Sequence, residues 1–183
     1  MPACHLIPAA LSPAECASLT TLCAANPMRD AGLVRAGATQ QIRRAAVSWL
    51  DDLPAASWVI DRMIRLVAAA NRDAFHFDLS DFAESPQVAR YDAAREAHFD
   101  WHSDIGATPL AAKRKLTIVV QLSDPTAYDG GTLDLRPDST LHSAPTAQGS
   151  AILFPSFTLH RVTPVTRGTR WSLTLWAHGP AFR

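Results

Sequence analysis

From residue 86 onward the chain is written in short alternating runs separated by turn residues, and no other feature constrains its fold as strongly. The runs fall at 86–92, 97–104, 115–123, 131–136, 150–154, 158–163 and 170–177, with a further candidate at 140–144. Seven or eight short strands in under a hundred residues predict a sandwich or barrel rather than alternating βαβ units. Two runs have clear sides. Leu116, Ile118, Val120 and Leu122 alternate with Lys115, Thr117 and Gln121, with Val119 the exception. Trp171, Leu173 and Leu175 alternate with Arg170, Ser172 and Thr174. A sheet with one apolar and one mixed face needs a cover on the apolar side, and the mixed face then looks into a polar cavity.

The first 85 residues supply the cover. Ser12-Pro13-Ala14-Glu15 reads as a capped helix start: Ser12 caps, Pro13 suits the first turn and Glu15 completes a capping box. Leu19, Leu22 and Cys23 form its apolar stripe, and Asn26-Pro27 ends it. Pro54 opens a second helix, which carries Trp58, Met63, Ile64, Leu66 and Val67 and runs to about Asn71. Between the helices, 28–41 is irregular and Ile42–Leu50 predicts one strand; Arg43 and Arg44 are either solvated, the preferred reading, or anchor something acidic. Phe75, Phe77, Leu79 and Phe82 read as a turn or short strand packed on the core. The expected class is mainly β with N-terminal helices (α+β), as one domain over 1–183: a helical support region at 1–85 and a β core at 86–177.

Composition narrows the function classes. With 17 basic and 17 acidic residues the formal net charge is zero, so no nucleic-acid or anionic-membrane surface is expected. No uncharged apolar run is long enough to span a bilayer, and Met1-Pro2-Ala3-Cys4-His5 has no basic start leading into an apolar core, so neither a membrane helix nor a signal peptide is expected. Three cysteines, Cys4, Cys16 and Cys23, form no framework; with Cys16 and Cys23 as small core residues, a reducing cytoplasm fits.

The chemistry concentrates in His98-Phe99-Asp100-Trp101-His102-Ser103-Asp104. On a regular strand, His98, Asp100, His102 and Asp104 share one face, and Phe99 and Trp101 the other. A His and a carboxylate two apart can grip one metal ion. A third ligand completes a two-His-one-carboxylate triad, the arrangement of non-haem Fe(II) oxygenases. His160, at the start of a predicted strand, is the candidate third ligand. Ten residues later, Arg170 with Ser172 on the same face is shaped to hold a carboxylate. Arg167 is a rival, but it precedes Gly168 in a turn.

Taken together, these motifs resemble the 2-oxoglutarate/Fe(II)-dependent dioxygenase superfamily, nearest its prolyl 4-hydroxylase-like branch. The resemblance covers 86–177. It rests on Tyr91, on His102 and Asp104 as the His-x-Asp pair, on Tyr128-Asp129-Gly130-Gly131-Thr132-Leu133 as a glycine-pair strand start, and on His160-Arg161-Val162-Thr163-Pro164-Val165 leading to Arg170. It departs from the branch around Tyr91, which stands eleven residues before His102 and is followed by Asp92-Ala93-Ala94-Arg95 instead of the usual glycine.

The resemblance implies a double-stranded β-helix (jelly roll, cupin-like) with helices on its major sheet. It implies Fe(II) on His102, Asp104 and His160, and 2-oxoglutarate as co-substrate held by Arg170, Ser172 and Tyr91, with ascorbate as a supporting reductant. The implied reaction consumes O2, releases succinate and CO2, and hydroxylates an amino-acid side chain, free or peptidyl. Asp104 argues against the halogenating relatives, which keep that position small. Two other readings stand beside this one: a non-catalytic cupin-like metal or small-molecule binding protein, which would not need Arg170, and an oxygenase of a small natural product. Between the two His-x-Asp pairs, the second is preferred. Phe99 supplies the aromatic residue that the family places three before the ligand, and Gly106 marks the strand's end near the cavity mouth. His98 and Asp100 are then expected to support the ligands or face the substrate, with a bulge displacing them. The loop from Ile105 to Arg114 is a lid or a plain connector. Oligomeric state is open.

Overall fold

The computed structural model describes residues 2–31, 33–34 and 41–182. Among the described residues fourteen strands form in chain order: β1 His5–Ile7, β2 Arg29–Asp30, β3 Leu33–Val34, β4 Gln41–Arg44, β5 Ala46–Trp49, β6 Gln87–Asp92, β7 His98–His102, β8 Arg114–Gln121, β9 Tyr128–Gly130, β10 Leu133–Arg136, β11 His142–Ser143, β12 Ala151–Pro155, β13 Leu159–Val162 and β14 Val165–His178. The α-helices are α1 Pro13–Ala24 and α2 Trp58–Ala70.

The strands make two antiparallel sheets. The major sheet runs β1-β12-β8-β14-β6-β5-β2, with β9 attached to β14; the minor sheet runs β11-β10-β13-β7-β4-β3. From β6 onward the chain alternates between them: β6, β8, β12 and β14 lie in the major sheet, and β7, β10 and β13 in the minor. β14 is central, pairing β6 on one side and β8 on the other. The chain is therefore mainly β with two helices, as its alternation predicts.

The sidedness also holds. Leu116, Ile118, Val120, Leu122, Leu173 and Leu175 form one core with Leu19 and Cys23 of α1 and Val59, Met63 and Val67 of α2. The mixed face, carrying Thr117, Val119, Arg170, Ser172 and Thr174, lines a cavity whose opposite wall is the minor sheet. Burying this helix-covered face supplies most of the driving force for folding, at roughly 25 cal/mol per Å² of apolar surface. The start of α1 is as predicted: Glu15 N–H donates to Ser12 Oγ, and Ser12 N–H donates back to Glu15 Oε2 at 2.8 Å; the second helix is not opened by Pro54, which begins a separate 3-10 turn, Pro54–Ala56, ahead of α2. Asn26 Nδ2 then donates to the Leu22 carbonyl beyond the last turn of α1. Phe75 is buried in the core with α2, at the end of the turn Asn71–Phe75 that His76 closes with φ 57°, and Phe77, Leu79 and Phe82 pack on the same core, so the aromatic cluster is core and not strand.

A second expectation is corrected here. Ile42–Leu50 is not one strand. β4 pairs β7 in the minor sheet, β5 pairs β6 in the major sheet, and the chain crosses between sheets at the buried Ala45. Ala45 also accepts a hydrogen bond from Ala31 N–H, so its carbonyl is satisfied where the ladder breaks.

Candidate active site

His160 sits on β13, directly opposite His102 at the end of β7. Asp104 lies two residues past that strand, in the chain that leaves it. Its backbone N–H donates to the Ser156 carbonyl at 2.9 Å, and Ile105 N–H donates to the same oxygen. These tethers aim the Asp104 side chain back at the two imidazoles. His102 Nε2 is 3.8 Å from Asp104 Oδ1, and His160 Nε2 is 3.6 Å from Asp104 Oδ2. One ligand atom from each of the three residues lies within 4.8 Å of the others.

The imidazoles are held in the tautomer that a metal needs. His102 Nδ1–H donates to the Asp100 carbonyl at 2.7 Å, and His160 Nδ1–H donates to the Thr158 carbonyl at 2.9 Å. Because a carbonyl can only accept, both Nε2 lone pairs are left facing the cavity. Burial, followed by the neighbouring His160, pushes the His102 imidazole down to about 4, so it is neutral near pH 7. Burial alone would raise the Asp104 carboxyl. His160, His102 and the Thr117 hydroxyl outweigh it and hold the group below its ordinary range. Thr117 Oγ1 donates to Asp104 Oδ2 at 2.8 Å, and with its own proton committed it accepts from Ser156 Oγ at 3.0 Å.

A second set of contacts holds the Asp104 backbone. Arg114 Nη1 donates to the Asp104 carbonyl at 3.0 Å, while its Nε and Nη2 grip the Glu84 carboxylate. Burial would raise Glu84, but the Arg114 pairing outweighs it and lowers the group. The Arg114 guanidinium stacks 4.1 Å above the Trp176 ring, and Trp176 in turn lines the cavity.

Arg170 projects from β14 into the same cavity. It is 3% exposed, and its Nη1 is buried without a hydrogen-bond partner among the described residues. Burial lowers its pKa, opposed by Tyr91 and Tyr128, and a guanidinium in this position stays charged. Tyr91 is its cross-strand partner on β6 and lies 5.5 Å below the guanidinium. Ser172 lines the cavity two residues along β14. Gly131, at φ 59°, packs against Arg170: a Cβ there would meet Arg170 Cδ and Val165 Cγ2 at 2.9 Å each. That contact gives the glycine pair a structural reason. Arg167, the rival anion partner, is instead an exposed residue bonded to Asp129 at 2.6 Å.

The structure therefore brings His102, Asp104, His160, Arg170, Ser172 and Tyr91 to one cavity. It corrects the strand-face assignment around them. β7 carries one extra residue between Phe99 and His102 relative to β13, a bulge that breaks the alternation. Phe99 thereby turns onto the cavity side and stacks on His102, with ring centroids 3.4 Å apart and planes 10° off parallel. Asp100 is exposed, and His98 Nδ1 lies 2.8 Å from the Glu96 carbonyl. Neither side chain lines the cavity, so the expectation that they support the ligands or face the substrate is not met; only the Asp100 carbonyl serves His102. Trp101 faces away from the cavity, between the guanidinium groups of Arg136 and Arg161. Nor do residues of the Ile105–Lys113 loop line the cavity. Within the loop, Ala111 N–H donates to Thr108 Oγ1 and Lys113 N–H to the Leu110 carbonyl, contacts that a lid and a connector share. Arg43, whose sequence readings are a solvated side chain or an anchor for something acidic, lines the cavity, against the preferred solvated reading.

Two imidazole nitrogens and one carboxylate on a two-sheet antiparallel scaffold, with a buried arginine across the cavity, are a donor set that could hold the iron of a non-haem oxygenase. Residues 86–178 match the family described as the 2OG-Fe(II) oxygenase superfamily, and the chain belongs to it. It is similar to PKHD-type hydroxylases: 39% identical over 97 residues to that of Paracoccus denitrificans (strain Pd 1222), covering 50% of this chain and 42% of the relative. The PKHD-type hydroxylase of Hyphomonas neptunium (strain ATCC 15444) is 37% identical over 97 residues, with the same coverage. The match thus spans less than half the length of these relatives. Among solved structures, a Pseudomonas putida prolyl-4-hydroxylase superposes with TM-score 0.76 at 24% identity, covering 96% of this chain and 92% of that one. A Trichoplax adhaerens prolyl hydroxylase, in complex with a hypoxia inducible factor peptide fragment, superposes with TM-score 0.76 at 18% identity, covering 96% and 83%. These likenesses establish the fold.

Family membership implies Fe(II) and 2-oxoglutarate, and the residues present fit both. The three donors match a divalent metal that accepts nitrogen and oxygen, and the orphaned Nη1 of Arg170 is a buried cation awaiting a carboxylate. No helix is long and apolar enough to cross a membrane among the described residues.

Proposed function

We propose that this chain is an Fe(II)- and 2-oxoglutarate-dependent hydroxylase of an amino-acid side chain, free or peptidyl, and that residues 86–177 form its double-stranded β-helix core on the support of 1–85. The alternation of successive strands between the two sheets supports that topology. The observation that carries the function is the pairing within one cavity of the His102, Asp104 and His160 donors with the buried guanidinium of Arg170, whose Nη1 has no partner among the described residues. A metal-binding cupin without catalysis has no use for a buried carboxylate clamp. The structural neighbours named as prolyl hydroxylases support an amino-acid side chain as the target.

In this reading His102, Asp104 and His160 would hold the metal, with the cavity beside them open to 2-oxoglutarate and O2. The bound iron supplies oxidative decarboxylation of 2-oxoglutarate to succinate and CO2, coupled to oxidation of a C–H bond. Arg170 orients 2-oxoglutarate by taking its far carboxylate in a bidentate grip, with Tyr91 and Ser172 beside it. The Thr117 hydroxyl fixes the Asp104 carboxylate, the Ser156 carbonyl holds the Asp104 backbone N–H, and the Nδ1–H bonds fix both imidazoles, so the donor set is in place before metal arrives.

The test is an anaerobic titration with Fe(II) and 2-oxoglutarate, followed by a screen for substrate-stimulated succinate release. The wild type is expected to develop a weak visible charge-transfer band. His102→Ala should abolish it while remaining folded. Arg170→Ala should raise the 2-oxoglutarate requirement far more than the iron requirement. Absence of the band in the wild type, or an intact band in His102→Ala, refutes the reading.

A further inference from the structure

Arg43 stands on β4 directly opposite Phe99 of β7. Its guanidinium lies 4.8 Å from the Phe99 ring centroid, and Phe99 stacks on His102, so the cation is one aromatic ring away from a metal ligand. Across the cavity, its Nη2 donates to Oε1 of the buried Gln87 on β6 at 2.8 Å, which ties the minor sheet to the major. Its Nε is buried without a partner. Arg43 has no carboxylate partner among the described residues, and the stretch 32–41 contains no acidic residue that could supply one.

The charges in the cavity show what is missing. Its lining holds Arg43, Arg170 and the single acid Asp104. With Fe(II) and 2-oxoglutarate in place, the two metal charges, the two carboxylates of 2-oxoglutarate, Asp104 and Arg170 cancel completely. Arg43 is left as an unbalanced cation in the cavity, with its guanidinium over the Phe99 ring and its Nε without a partner. An unpaired charge in such a place is unfavourable until an anion meets it. A fork of N–H donors held flat by stacking is suited to a carboxylate.

We propose that Arg43 receives a carboxylate of the primary substrate. This rests on the functional reading above and narrows it: the substrate carries a carboxylate only a few bonds from the carbon that is oxidised. That carboxylate is either the α-carboxylate of a free or chain-terminal amino acid, or the side chain of an acidic residue. Neutral internal peptide segments do not satisfy Arg43.

Three probe sets test this: N-acetyl-L-amino acids, the matching N-acetyl amino-acid amides, and the α-amides of N-acetyl-L-aspartate and N-acetyl-L-glutamate. Each is titrated by ligand-observed NMR against the anaerobic Fe(II) and 2-oxoglutarate-loaded protein, and then assayed for stimulated succinate release. At least one acid is expected to bind at least tenfold more tightly than its amide. Binding confined to the first set identifies an α-carboxylate, and binding in the third identifies an acidic side chain. Arg43→Gln should weaken the acid at least tenfold while the charge-transfer band still forms, and Arg43→Lys should restore part of the loss. Four results overturn the proposal: acids and amides bind equally, no acid in either set binds, Arg43→Gln binds the acid as well as the wild type, or Arg43→Gln loses the band together with binding. In the last case Arg43 serves only to brace Phe99 and His102. A wild type that never forms the band overturns the functional reading itself, and the inference with it.

Discussion

Thr117→Val isolates one atom of the metal site. Thr117 is fully buried; its hydroxyl donates to Asp104 Oδ2 at 2.8 Å and accepts from Ser156 Oγ at 3.0 Å. Valine has nearly the same shape, so the packing survives and only the hydroxyl is removed. A hydrogen bond to a charged acceptor contributes about 1.5–3 kcal/mol net. Its loss lets the carboxylate turn away from the facing Nε2 atoms and leaves the Ser156 hydroxyl without its acceptor. At about 1.4 kcal/mol per decade, Fe(II) affinity should fall about 10–100-fold, the usual effect of removing a group that orients a ligand. The assay is an anaerobic Fe(II) titration in competition with a chelating fluorophore, and Thr117→Ser, which keeps the donor, should stay close to wild type. The apo variant should also lose stability, because a buried hydroxyl has lost a partner. An Fe(II) midpoint in Thr117→Val indistinguishable from wild type would show that this hydroxyl does not set the geometry of Asp104.

Three further outcomes follow from particular contacts. Gly131→Ala places a Cβ 2.9 Å from Arg170 Cδ at φ 59°, and should raise the 2-oxoglutarate requirement in the band titration without changing the iron requirement; equal 2-oxoglutarate midpoints would sink the packing argument. Asp100→Ala removes an exposed side chain but keeps the carbonyl that receives His102 Nδ1–H, so Fe(II) affinity should be unchanged, and a large loss would return the metal to the first His-x-Asp pair. Burial pushes the Cys16 thiol up to about 11, and at pH 8 only about one molecule in a thousand is thiolate. Iodoacetamide should therefore modify the half-buried Cys4 first and reach Cys16 and Cys23 only in denaturant, as read by mass spectrometry of the intact and digested chain.

The β core was legible because one face of each strand is committed to the helices. Leu116, Ile118, Val120, Leu173 and Leu175 must alternate with polar neighbours for the sheet to carry a core on one side and a cavity on the other, and this leaves a period of two in the sequence. The crossing between β4 and β5 left no such trace. Ile42–Arg44 are half-buried and Ala45–Ser48 buried, and the small Ala45 lets the chain change sheets without a glycine or proline to mark the place. β1, β2 and β3 are two or three residues long, too short for a periodic signal.

In the site, the ligands could be read but the wall around them could not, and a single inserted residue accounts for this. His102, Asp104, His160 and Arg170 are marked by spacing, because residue type and interval survive whatever the strand does. The partners of His102 depend on parity, which fails at the bulge between Phe99 and His102. One extra residue inverts every assignment before it: Phe99 comes inward onto the imidazole, and His98 and Asp100 leave the metal wall. The same inversion makes the inward direction of Arg43 intelligible. β4 pairs β7 at Arg43 and Phe99, so once Phe99 faces the cavity its neighbour faces it too, and the cation follows the ring to the metal site. An unbulged β7 would put Phe99 and Arg43 on the outer surface, where Arg43 would be solvated as its sequence context suggests. The bulge therefore supplies both the ring that packs on His102 and the cation that needs an anion beside it.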